Sequence, residues 1–302
     1  MPVMIQEIKK SIKNPARLFT HQEKTRKAYK DFCKLILSNK LKKRNQLIKL
    51  LPDTNPELLL SPEQGYKIIP SHLRFDTLKP LIQRCQKIVE QPGTTLKKES
   101  KPFREHLVTP TNLVNYPELT DFALHPPLLS IVANYLGELP LLNSIFLWHD
   151  RPSQDDLKAS QLYHCDHDDV RQFKVFVFIS DIDSTSGPFT LIPTHISSEI
   201  RGKLQYDWQY VDDQKMKQHI PPGAEIQLTG PAGTVAFVDT SQVFHFGSRL
   251  TDKERIMAVF QYISLTNFLF NPFHRFSPYP YAHLAKPEDS EVVKAVLNPD
   301  YD

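Results

Sequence analysis

The chain has 302 residues, 37 Lys and Arg against 34 Asp and Glu, and a net charge of +3. Glycine is scarce (9) and proline abundant (25), and no G-x-G-x-x-G or G-x-x-x-x-G-K-[ST] occurs, which argues against a phosphate held on a Gly-rich turn. The three cysteines, Cys33, Cys85 and Cys165, are odd in number and far apart, so neither a disulfide framework nor a Cys-rich zinc site is indicated and a reducing compartment is expected.

The first 50 residues hold 14 basic and three acidic side chains, a net of +11, and the remaining 252 carry a net of −8. A near-neutral total therefore joins a basic front to an acidic body. Within 22–51, Tyr29, Phe32, Cys33, Leu35, Ile36, Leu41, Leu47 and Ile48 recur every three or four positions with lysines between them, which predicts an amphipathic helix ended by Pro52. Three readings are open for it: docking of the apolar stripe on the body, contact with an anionic surface, or contact with an acidic partner protein. Because the charge is confined to this appendage, no specific nucleic-acid partner is expected. The start of the chain lacks the apolar run of a signal peptide. Residues 122–148 are too often broken by His, Pro, Asn and Glu to span a bilayer, and a cytoplasmic location is expected.

A second helix is predicted over 77–91 from the stripe Leu78, Leu81, Ile82, Cys85 and Ile88, and 117–136 reads as two helices split at Pro126–Pro127. From about residue 139 the texture changes to short apolar runs between turn residues: Leu141–Trp148, Leu162–Asp166, Phe173–Ile182, Phe189–Ile192, Glu225–Leu228, Thr234–Asp239 and Arg255–Ile263. Six of the nine glycines lie in 187–247, where tight turns need them. Many short strands with Gly/Pro turns predict a β-sandwich or jelly roll, with 195–219 as an inserted helix and loop. The Pro- and aromatic-rich tail from 266 is expected to wrap the body. The expected organisation is a basic helical extension (1–52), a body with a helical lead-in (53–265) and a packed tail (266–302).

The densest run of ligand-type side chains is Tyr163-His164-Cys165-Asp166-His167-Asp168-Asp169. In a strand, His164 and Asp166 share a face, and so do His167 and Asp169, but the two pairs have opposite parity and only one can face a barrel interior. A third ligand from a distant strand would best be His245. Two histidines and a carboxylate with open positions opposite is the donor set of non-haem Fe(II) oxygenases; a solvated turn explains the same run on composition alone. Arg255 opens the apolar run Arg255-Ile256-Met257-Ala258-Val259-Phe260, and a guanidinium entering a sheet needs a partner. A small dicarboxylate would supply one, as would Asp252 or Glu254 at the strand end.

The stretch Tyr163–Asp169, then Phe173-Lys174-Val175-Phe176-Val177-Phe178-Ile179-Ser180-Asp181-Ile182-Asp183, then Gly187-Pro188-Phe189, and further on Asp239-Thr240, His245-Phe246-Gly247 and Arg255, resembles the phytanoyl-CoA dioxygenase family in the order and spacing of its elements. The likeness spans about 104–264. It implies a mainly β fold with flanking helices around a double-stranded β-helix (jelly roll, cupin-like) core, with Fe(II), 2-oxoglutarate and O₂ as cofactor and cosubstrates. It also implies His164, Asp166 and His245 as iron ligands, Arg255 as the holder of the distal 2-oxoglutarate carboxylate, and Lys174 as a basic residue at the cosubstrate site. Succinate and CO₂ would be coproducts of oxidising a small-molecule substrate. Asp166 fills the position that halogenating relatives leave small, so hydroxylation is the expected outcome. The stretch Ile192-Pro193-Thr194-His195-Ile196 departs from the V-P-G-S-H of relatives, and His195 is expected in a loop rather than on the metal.

Two other classes remain: a non-catalytic jelly-roll binding protein, and a cupin-like zinc or manganese hydrolase or isomerase. The first has no need of all three ligands plus Arg255, and the second has no need of the arginine. No Gly-rich or basic loop in 104–264 marks a coenzyme A pocket.

Overall fold

A computed structural model describes residues 23–70, 72, 75–91, 103–152, 156–249, 252–269 and 279–301. The basic segment therefore enters at residue 23, and the expectations for 1–22 lie outside the described residues.

Two antiparallel sheets form the body. The larger runs β1(Tyr66–Ile68), β7(Val235–Asp239), β4(Phe173–Phe178), β9(Arg255–Ile263), β3(Leu141–Asp150) and β2(Arg104–His106), side by side in that order. The smaller is β6(Ile226–Leu228), β5(Phe189–Ile192) and β8(Phe244–Phe246). Residues 163 and 164 extend it by isolated bridges, Tyr163 with Val211 and His164 with His245. The fold is a double-stranded β-helix, and neither sheet could stand alone, because each has an apolar face that only the other can cover.

Period-two alternation sorts every strand between two cores. On β4, Phe176 and Phe178 point between the sheets with Ala236, Val238, Met257, Val259, Phe189 and Leu191. Phe173, Val175 and Val177 point the other way, into a layer of helices. Being covered on both faces explains why β4 and β9 read as continuous apolar runs rather than alternating ones. In β3 a register shift between Leu142 and Ser144 adds one residue, so that Leu142 faces the helical layer together with Ile145 and Leu147.

That layer is α3(Leu78–Glu90), α4(Pro117–Ala123), α5(Pro126–Leu136) and α8(Glu291–Leu297), with α1(Glu23–Ile36) and α2(Ser38–Gln46) ahead of them. The stripe Leu78, Leu81, Cys85 and Ile88 is buried as its spacing requires. α5 starts with proline in its first turn and stops at Gly137, whose φ of 71° is the left-handed conformation that glycine adopts without strain. Outside the smaller sheet, α6(Thr194–Leu204) and α7(Asp213–Lys217) cover Ile192, Phe244 and Phe246.

Several expectations need correction. The predicted helix over 22–51 is two helices and a 3₁₀ turn, broken at Leu37. The run Phe173–Ile182 leaves its sheet at Phe178. His245 sits inside a three-residue strand of its own rather than beyond one, and the tail carries a helix at 291–297. Such short pieces are held by tertiary pairing, which local periodicity does not report. Among the described residues no helix is long and apolar enough to cross a membrane.

Candidate metal centre

The bridge between His164 and His245 creates the site. The two residues exchange both backbone hydrogen bonds, His164 N–H to His245 C=O at 3.0 Å and the reverse at 2.9 Å. Directly opposed residues point their side chains to the same face, and the two imidazoles lie 4.2 Å apart. Asp166, two residues on, shares that face; its N–H is held by the Thr240 carbonyl at 2.8 Å. Tyr163 and Cys165 turn outward into the cluster beneath α6. Parity is thereby resolved. His167 is exposed, while Asp169 is buried and accepts from Lys30, well away from the barrel interior.

His164, Asp166 and His245 each place one donor atom within 4.8 Å of the other two. His164 Nδ1 lies 2.9 Å from the Leu162 carbonyl, and His245 Nδ1 lies 3.1 Å from the Val243 carbonyl. A carbonyl can only accept, so in each ring the proton belongs on Nδ1 and Nε2 carries the lone pair that a metal would use. Both Nε2 atoms face Asp166 Oδ1, at 3.9 and 4.0 Å. Asp166 Oδ2 accepts from Lys174 Nζ at 2.5 Å.

Electrostatics favour this donor set. Burial, assisted by His164, drives the pKa of His245 down to about 3 despite the pull of Asp166, so the ring is neutral, the form that binds a metal. Burial alone would raise the pKa of Asp166, but Lys174 and the two imidazoles outweigh it and keep the group ionised. Cys165, between the two ligands in sequence, is pushed up to about 12 by burial and stays a thiol.

A second buried charge cluster lies on β2, β3 and β9. Cross-strand register lines up Arg104, Asp150 and Arg255 on β2, β3 and β9. Arg255 Nη2 is 2.5 Å from Asp150 Oδ2, and Arg104 grips the same carboxylate through Nε at 2.6 Å and Nη2 at 2.9 Å. Ser248, three residues after His245, saturates its hydroxyl here: it accepts from Arg104 at 2.6 Å and Arg255 at 2.8 Å and donates to Asp150 at 2.8 Å. Its φ of 61° is strained for a non-glycine residue, and these bonds hold it there. Arg255 also donates to the Gly187 carbonyl. The partner of Arg255 is therefore Asp150, not Asp252 or Glu254; Glu254 accepts from His149 instead, at 2.8 Å.

Two guanidiniums and one carboxylate leave a buried net charge of +1. Among the described residues, the Arg255 Nε–H and the Trp148 indole N–H, two residues from Asp150 on the same face of β3, are buried without an acceptor. The arrangement thus leaves one cation uncompensated beside two orphan donors.

Sequence reasoning missed Asp150, Arg104 and Ser248, as well as two aromatic walls. Phe189 stacks on His245 at 4.9 Å and 20°, and Tyr210 meets His164 edge-on at 5.1 Å. Asp239 of the Asp239-Thr240 pair is buried behind the site, accepting from Tyr135, Gln172 and Ser241, and thereby fixes the Thr240 carbonyl that holds Asp166. His195 is exposed at the start of α6, bonded to the Glu63 carbonyl at 3.2 Å.

An antiparallel jelly roll carrying a His–Asp–His triad inside its barrel is the class of protein this architecture defines. Among solved structures, it is similar to EctD from S. alaskensis. The apoform superposes with a TM-score of 0.54 at 16% identity over 76% of this chain and 85% of that one. The form with bound Fe gives 0.53 at 16% identity over 78% and 88%, and the form with 2-oxoglutarate and 5-hydroxyectoine gives 0.52 at 16% identity over 72% and 80%. At such identity the likeness establishes the shared fold. No family model and no curated protein matches the sequence.

Proposed function

We propose that this chain is an Fe(II)- and 2-oxoglutarate-dependent dioxygenase that hydroxylates a C–H bond of a small molecule. The observation that carries the reading is the pairing of two features in one barrel: a His–Asp–His set with both Nε2 atoms turned toward Asp166 Oδ1, and a buried, net-positive Arg104–Asp150–Arg255 cluster with donors to spare. The fold it shares with EctD, whose solved forms include ones with Fe and with 2-oxoglutarate, supports the same reading.

In this proposal His164, Asp166 and His245 hold the metal and Arg255, assisted by Arg104 and Ser248, holds the distal carboxylate of 2-oxoglutarate. Lys174 keeps Asp166 ionised and turns its Oδ1 toward the imidazoles. Iron at such a site supplies activation of O₂, with the balance substrate C–H + O₂ + 2-oxoglutarate → substrate C–OH + succinate + CO₂. Asp166 occupies the position where a halogenating enzyme needs room for halide, which favours hydroxylation. We take the motif order as support for a phytanoyl-CoA dioxygenase-like enzyme, with residues 53–265 as the catalytic body flanked by the basic extension and the tail. The three cysteines are free and buried, which suits a reducing cytoplasm.

Anaerobic addition of Fe(II) and 2-oxoglutarate to the purified protein is expected to give a weak visible charge-transfer band. Admission of O₂ is expected to yield succinate. Asp166→Ala should lose both signals while remaining folded; persistence of either in that variant, or no band from the folded wild type, would overturn the proposal.

A further inference from the structure

One of the three readings open from the sequence has the first helix dock through its apolar stripe. In the structure α1 leaves Phe32, Leu35 and Ile36 exposed, at 57%, 74% and 49% of their surface, and turns Arg26, Tyr29, Lys30 and Cys33 inward. A helix held by the hydrophobic effect alone would do the reverse, because burying a guanidinium is costly unless its donors are met. The structural question is therefore what Arg26 receives in return.

Arg26 is 2% exposed and lies between two aromatic faces, 3.8 Å from the ring centre of Trp208 and 4.4 Å from that of Phe268. Its Nη2 donates to the carbonyls of His167 at 3.2 Å and Asp169 at 2.9 Å. One turn on, Lys30 Nζ donates to Asp169 Oδ1 at 2.5 Å and to Ser264 Oγ at 2.9 Å. Asp169 Oδ2 accepts from the Ser264 N–H at 2.8 Å and its hydroxyl at 2.5 Å, and the Asp168 carbonyl accepts from Phe268 N–H at 2.8 Å. All these contacts converge on the three residues directly after Asp166. That segment belongs to no continuous strand; Asp166 itself is held through its N–H by the Thr240 carbonyl and through its carboxylate by Lys174 of β4. Trp208, on the other side of Arg26, belongs to the loop that carries Tyr210 against His164.

We infer that α1 is a clamp on the metal-binding loop and that Arg26 is a positioning residue for Asp166. The guanidinium fixes the backbone of 167–169, and Lys30 locks the carboxylate that ends it. Together they replace the strand neighbour this loop lacks and tie it to the aromatic loop on the opposite side. The inference rests on the metal-site reading above and goes beyond it, since it makes the basic helix part of the centre rather than an appendage. Outer partners that orient metal ligands contribute on the order of 10- to 100-fold in metal affinity.

The test is a Co(II) titration of the full-length chain followed by visible absorption, with thermal midpoints measured on the same samples. Arg26→Ala is expected to weaken Co(II) binding at least tenfold. Arg26→Lys, which keeps the charge but not the fork, should recover part of the loss, and Lys30→Met should fall in between. Cys33→Ala, on the same buried face of α1 but away from the loop, serves as the control for loosened docking. It should lower the thermal midpoint and leave Co(II) affinity at the wild-type value. Wild-type affinity in folded Arg26→Ala and Lys30→Met, or a loss in Cys33→Ala that scales with its midpoint as theirs does, would overturn the clamp. Failure of the wild type to bind Co(II) would instead overturn the metal-site reading.

Discussion

The barrel buries charge in two clusters, and the two are built in opposite ways. At the His–Asp–His cluster the formal charges cancel: Asp166 is matched by Lys174 and both imidazoles bear a proton on Nδ1 only. At the Arg104–Asp150–Arg255 cluster they do not, and one positive charge is left over with two donors unused. A balanced set of lone pairs suits a metal cation, and an unbalanced set of N–H groups suits a carboxylate. The difference is one of charge balance, and the proposed function draws on both clusters: a metal at the balanced one and a carboxylate at the unbalanced one.

The largest expected effect comes from emptying the positive cluster. Arg255→Ala removes one of the two guanidiniums on Asp150 together with a large buried side chain, which should destabilise the fold by about 2–5 kcal/mol. It should also raise the KM for 2-oxoglutarate about 10- to 150-fold, the worth of a charge-assisted contact, while Co(II) affinity stays unchanged. Loss of both affinities together would show that the two clusters are not independent.

Next is Asp150→Asn, which increases the imbalance rather than removing it. Apparent 2-oxoglutarate affinity should rise by on the order of tenfold, about 1.4 kcal/mol, even as the free protein loses stability; calorimetric titration beside thermal melts would show both. The pH dependence follows from Asp150. Its burial is outweighed by Arg104 and Arg255, so its pKa is lowered in the folded chain. A lowered carboxyl contributes stability that is complete above the unfolded value of about 4 and is lost as pH falls toward the folded one. The gap in melting temperature between wild type and Asp150→Asn should therefore be constant near neutrality and narrow below about pH 4. A gap that widens in acid would refute the assignment.

A smaller effect is expected from Lys174→Met at the balanced cluster. Asp166 Oδ2 loses its partner, and metal affinity should fall by about tenfold with little change in the 2-oxoglutarate KM. If the KM rises instead, Lys174 contacts the cosubstrate directly and the balance drawn above must be revised.

Legibility followed the range of the interaction. His164 and Asp166 could be paired from two-residue spacing, and His245 could be added as a distant ligand, because a strand's parity is a local property. The choice between His164/Asp166 and His167/Asp169 was not local: it depends on the bridge from His164 to His245 and on Lys30 engaging Asp169. Asp150 gave no signal, since its meaning comes from lying opposite Arg255 across a sheet, 105 positions away. The three-residue strands at 66–68, 104–106 and 244–246 were invisible for the same reason.

The basic front of the chain shows the division most sharply. Composition by itself determined that it would be charged, helical and amphipathic, since residue type and 3.6-residue spacing need no partner to be read. Only the tertiary structure decided which face turned inward. It selected the arginine over Phe32, Leu35 and Ile36 because two carbonyls, a carboxylate and two aromatic rings, drawn from segments more than 140 positions downstream of Arg26, together offset the cost of burying that charge.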